Sequence, residues 1–125
     1  MSAEAFQYAL LQVVPRVERG ERFNAGVVVF CRRNGFLAAR VRLDEAKLAA
    51  LDPEADAAEL ARHLDALVDV AAGTGDHAVA ALDQSERFHW LAAPSSTSVQ
   101  PSPVHTGLTE DPAATLERLF ATLVS

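Results

Sequence analysis

The chain has one cysteine, Cys31, so no internal disulfide can form. It also lacks any run of about 18 apolar residues, the length a membrane-crossing helix needs. The first residues, MSAEAFQYALLQVV, carry neither the basic start nor the small-residue cleavage site of a secretory signal. A cytoplasmic location with no membrane contact is therefore expected. The four histidines, His63, His77, His89 and His105, stand at no short ligand spacing, so neither a metal site nor a cofactor is expected. There is no G-x-S-x-G elbow to expose a nucleophilic serine. The glycines of GTGDH are not followed by G-K-[ST], and they come after a helical segment, whose end repels phosphate. An enzyme is disfavoured on these grounds.

What is present fits one globular domain spanning residues 1–125, half of it apolar. The net charge of −6 is unevenly spread. Residues 1–43 hold seven arginines against three glutamates, whereas the remainder holds four basic and fourteen acidic side chains. Such segregation can steer partners. The overall acidity disfavours nucleic acid, and the arginines are expected to face water on a hairpin.

The hydrophobic pattern changes period along the chain. FQYALLQVV, residues 6–14, is apolar on both alternate faces and reads as a central strand. AGVVVFC, residues 25–31, is the strongest strand signal, and FLAARVRL, residues 36–43, alternates with Arg40 and Arg42 on its wet side. Asn34-Gly35 between them predicts a two-residue hairpin turn. From Asp44 the period is helical, first to Pro53 and then over residues 55–73, with Leu60, Leu64, Leu67, Val68 and Ala71 in one stripe and Gly73 as the cap. SERFHWL, residues 85–91, fits a short helix or a bent strand, with Phe88 and Trp90 as core or rim. Asp111-Pro112 opens a last helix with the stripe Leu116, Leu119, Phe120, Leu123 and Val124. The expected fold is α+β: an antiparallel sheet of about four strands with two or three helices packed on one face.

The densest polar stretch is STSVQPSPVHTG, residues 96–107. The side chains of Ser96, Thr97, Ser98, Gln100, Ser102, His105 and Thr106 can all donate or accept hydrogen bonds, and Pro101 and Pro103 stiffen the middle. Residues 96–100 are expected to form a further strand ended by the prolines, with His105, Thr106 and Gly107 in a turn. Two readings stand side by side. The hydroxyls staple loop backbone, or Ser96, Thr97, Gln100, Ser102, His105 and Thr106 present a binding surface on a rigid scaffold. GERFNAG, residues 20–26, adds Arg22 and Asn24 before the strongest strand; a sheet that brings Asn24 near His105 would make one pocket mouth of both clusters.

Two segments, YALLQVVPRVERGERFNAGVVVFC and RFHWLAAPSSTSVQPSPVHTGLTEDP, resemble a bacterial domain-of-unknown-function family, number 3037. The likeness spans nearly the whole chain. It rests on N-x-G-V before a strand and on the S-T-x-x-Q-P-S-P-x-H-T-G run; residues 44–73 carry no matching motif. No catalytic residue is implied. The resemblance implies gene neighbourhoods shared with HipA-like kinases, hence an accessory, protein-binding module with such a kinase as partner. The alternative is a small-molecule or anion binder using the 96–107 stretch. A homodimer through the edge strand at residues 36–43 is a further expectation.

Overall fold

A computed structural model describes residues 2–124. Five strands form one antiparallel sheet: β1 (Glu4–Val13), β2 (Phe23–Cys31), β3 (Phe36–Val41), β4 (Val99–Pro101) and β5 (His105–Thr109). Four helices accompany it: α1 (Glu45–Leu51), α2 (Ala57–Ala72), α3 (Gln84–Ala92) and α4 (Pro112–Leu123). The class is α+β as the sequence predicts, with one more strand. Among the described residues no helix is long and apolar enough to cross a membrane.

The lateral order is β3-β2-β1-β4, and β5 shares the outer side of β1 with β4. β1 is therefore central. Its Ala9, Leu11 and Val13 join Val28, Phe30 and Leu37 in a core against α1, α2 and α3. Its Phe6, Tyr8 and Leu10 face the other way with Val27, Val29 and Cys31, against α4. Three helices thus share one face, within the expected two or three, and the fourth covers the opposite face. That face is less wet than the alternation in β3 implies, because Arg40 lies against α4: its guanidinium pairs with Glu117 and sits 4.6 Å from the Phe120 ring centre.

Each helix opens on an aspartate. Asp44, Asp56, Asp83 and Asp111 accept from the backbone N–H groups of Lys47, Glu59, Glu86 and Ala114 at 3.1, 3.0, 2.8 and 3.2 Å. This is the N-cap bond that compensates donors without an intrahelical partner. At α3 the Glu86 N–H holds the Asp83 carboxyl below the usual range, while the neighbouring Asp83 pushes the Glu86 carboxyl up. The cap also decides the ambiguous residues 85–91: they are helical. Gly73 closes α2 with φ 76°, as expected.

Three local expectations are corrected. Asn34-Gly35 is not a two-residue turn: Cys31 pairs with Phe36, and the link is a 3-10 turn over Arg32–Asn34 closed by Gly35 at φ 61°. Among the described residues only glycines have positive φ, so Asn34 lacks the conformation the tighter turn demands. The strand expected at residues 96–100 is confined to β4, with Pro101 inside it, tolerated because β4 hydrogen-bonds on one side only. His105, Thr106 and Gly107 are not a turn but the start of β5, recruited because the N-terminal half of β1 otherwise lacks an outer partner.

β2 skips one residue opposite the Leu11/Gln12 step, and Gly26 lies at that irregularity. A Cβ there would meet Val41 Cγ1 at 2.8 Å, the Arg40 carbonyl at 3.0 Å and Leu11 Cδ1 at 3.2 Å. Two of these are packed core or backbone atoms with little room to retreat. Gly26→Ala is expected to lower stability by about 1–3 kcal/mol through overpacking, measured as a reduced midpoint of urea unfolding with an unchanged slope.

Candidate binding surface

The polar candidates divide into three places. The first is a row of amides across the sheet on the α4 side. Gln12 of β1 lies opposite Gln100 of β4 and Asn24 of β2. Gln12 Nε2 donates to Asn24 Oδ1 at 3.1 Å, and Asn24 Nδ2 donates to the Leu123 carbonyl at 3.0 Å. Asn24 therefore ties β2 to the last turn of α4, satisfying a carbonyl that the helix itself leaves open. Arg22 stands at the exposed end of this row, with Nη1 at the long distance of 3.5 Å from both Gln12 Oε1 and Gln100 Oε1. Gln12 has no motif of its own in the sequence; its place in the row follows from register alone.

The second place is the junction between β4 and β5. Ser102 is buried there. Its backbone N–H donates to the Leu10 carbonyl at 2.8 Å, and its Oγ accepts from the Leu10 N–H at 2.8 Å while donating to the Pro103 carbonyl at 2.9 Å. The hydroxyl thus stands in for a main-chain acceptor where the outer strand breaks. Beyond it, His105 stacks on Tyr8 with ring centres 5.1 Å apart, and Thr106 is exposed opposite Gln7. His105 and Asn24 do not share a pocket mouth. They lie opposite Tyr8 and Gln12, four residues apart on β1, roughly 13 Å at strand rise.

The third place lies on the other face, beside α2. Thr97 Oγ1 donates to the Val99 carbonyl at 2.9 Å, and the Thr97 carbonyl accepts from Gln100 Nε2 at 2.9 Å. Ser96 is exposed next to it. This turn walls a groove made of two hollows. One, about 530 Å³, is lined by Asp52, Asp56, Glu59, Arg62, His63 and Thr97 among others. The second, about 280 Å³, is floored by Leu11, Leu67, Leu91 and Val99 and flanked by Trp90. His63 and Thr97 border both. Sequence reasoning missed Trp90 and His63 as a pair: each sits off its helix's apolar stripe, and only the packing of α3 against α2 sets them around one cavity.

The arginines of the first third mostly face carboxylates of the same chain: Arg16 with Asp52, Arg19 with Glu21, Arg33 with Glu4 and Arg40 with Glu117. The Arg19 hydrogen bond holds the Glu21 carboxyl below its ordinary range. Exposed pairs of this kind contribute little stability, but they leave few cations in the loop beside Arg22.

A family model described as "Protein of unknown function (DUF3037)" matches residues 8–124, nearly the whole chain. The chain belongs to the DUF3037 family. No curated protein and no solved structure matches it. Much of the DUF3037 resemblance falls on residues with visible structural work: Asn24 at the α4 carbonyl, Gly26 in its tight contact, Ser102 at the strand break and Gly107, where a Cβ would meet Phe6 Cε1 at 2.7 Å.

Ser102→Ala is expected to cost about 1–3 kcal/mol, because the Leu10 N–H then loses its acceptor in a buried setting. The exposed Ser96→Ala serves as the comparison and is expected to leave the thermal midpoint nearly unchanged, both measured by calorimetry.

Proposed function

We propose that this DUF3037 domain is a protein-interaction and accessory module, and that it takes an extended segment of its partner onto the outer edge of β5. The observation that carries this reading is the character of that edge. β5 bonds β1 on its inner side, and among the described residues no strand pairs with its outer side. Its five residues, His105–Thr109, include no acidic, lysine, arginine or proline side chain. Leu108 stands 73% exposed, and Val104 just before it is also exposed.

Natural sheets guard their edges with charge, proline or bulges, since an unguarded edge templates pairing with another chain. The remaining edges here are guarded: β3 by Arg40 and Arg42, β4 by Pro101 and Pro103. In strand addition, main-chain hydrogen bonds supply affinity and alternate side chains supply selectivity. Leu108 offers such a side-chain contact. The partner that the family resemblance implies is a HipA-like kinase. A homodimer, expected earlier through residues 36–43, fits the β5 edge better, since exposed arginines at β3 repel their copies across a two-fold axis.

The test is co-expression with a HipA-like kinase, followed by co-purification and calorimetric titration. The wild-type chain is expected to form a stoichiometric complex. Leu108→Lys places a charge on the edge without touching the core, and is expected to weaken that complex at least about tenfold, or 1.4 kcal/mol, with an unchanged circular dichroism spectrum. Retention of full affinity by Leu108→Lys, or absence of a complex with the wild-type chain, overturns the reading. Sedimentation of the chain alone separates self-pairing, which would appear as a dimer that Leu108→Lys dissociates.

A further inference from the structure

The groove beside α2 is separate from the β5 edge. We propose that it is a binding site for a small organic cation with an apolar body, an amine on an aryl or alkyl frame. Its two hollows differ in chemistry and meet at His63 and Thr97. The smaller, about 280 Å³, has a floor of Leu11, Leu67, Leu91 and Val99 with Trp90 beside it. It suits a compact apolar group, with His63, Ser95 and Thr97 as the polar side chains at its border. Small-molecule sites combine such an apolar lining with a few placed polar groups.

The larger hollow supplies those polar groups, and their sign is biased. Asp52, Asp56 and Glu59 line it against one guanidinium within the lining, Arg62. Asp52 has Arg16 at 3.8 Å, and Asp56 accepts from the Glu59 N–H as the α2 cap. The Glu59 carboxylate has no hydrogen-bond or ion-pair partner among the described residues and is the natural acceptor for an ammonium group. An anion at the same place would meet the unpartnered Glu59 carboxylate. The α2 N-terminus offers it little, because Asp56 already occupies the Glu59 N–H. A ligand lying across the His63–Thr97 junction would thus put its apolar body beside Trp90 and its ammonium beside Glu59.

Trp90 is the chain's single tryptophan, so its emission reports directly on the apolar hollow. The probes are 4-phenylbutylamine and the matched anion 4-phenylbutyrate, titrated into the full chain at low salt. The amine is expected to saturate the Trp90 signal and to bind about tenfold tighter than the carboxylate, the sum of attraction gained and repulsion avoided at a partly exposed site. Glu59→Gln is expected to weaken the amine about two- to fivefold with no change in thermal midpoint, and added salt narrows the preference. No saturation by the amine, equal or tighter binding of the carboxylate, or unchanged amine affinity in Glu59→Gln overturns the proposal. Leu108→Lys should bind the amine as the wild type does, so failure of this site and failure of partner pairing at β5 are told apart.

Discussion

The architecture depends on how the outer side of β1 is satisfied. A strand of ten residues exposes a long row of donors and acceptors, and among the described residues no single partner strand runs its length on that side. Two short pieces, β4 and β5, share the work, and Ser102 bridges the break by lending Oγ to the Leu10 N–H. An unpaired buried amide is costly. With that bond in place, the chain can shift register between Pro101 and His105 without leaving a hole in the ladder. β5 is then held against the first half of β1, and α4 follows directly onto the adjoining face. The turn into α4 is fastened by a buried pair of threonines, Thr109 and Thr115, with Oγ1 atoms 2.6 Å apart, and by the Asp111 N–H donating to Thr109.

The acidity of the second two-thirds acquires a structural meaning in this arrangement. Four of its carboxylates open helices, and others answer arginines of the hairpin at Arg16 and Arg40. Six of the fourteen carboxylates are thus engaged within the chain, four at helix ends and two with arginines. Of the carboxylates beside His63, Glu59 has no hydrogen-bond or ion-pair partner among the described residues.

Much of the fold was legible because it rests on period and punctuation. β1 declared itself central by being apolar on both faces, and α2 and α4 by their stripes, with Gly73 and Asp111-Pro112 at their ends; in α2 the packing buries Val70 where the stripe had Val68. The outer strands were legible only in part: β4 falls at the end of the strand expected there, whereas β5 was read as a turn. Val99–Pro101 contains a proline, and His105–Thr109 has weak strand chemistry; both are strands because β1 needs neighbours, a tertiary demand with no local signature. The site candidates suffered from the same limit. Polar density draws attention to residues 96–107, but cannot distinguish a hydroxyl consumed by backbone, as at Ser102, from one left facing solvent, as at Thr106. Nor does it show that Thr97 borders a cavity with His63, since the two are brought together only by α2 lying along the end of β4.

The lone thiol lies at the end of β2. Cys31 is fully enclosed between β1 and α4, with Sγ 3.5 Å from the Ala5 carbonyl. Buried in this way it is shielded from oxidants and from other chains. A disulfide-linked pair seen on a non-reducing gel would therefore mark molecules that had opened, making covalent crosslinking a gauge of misfolded material in any preparation.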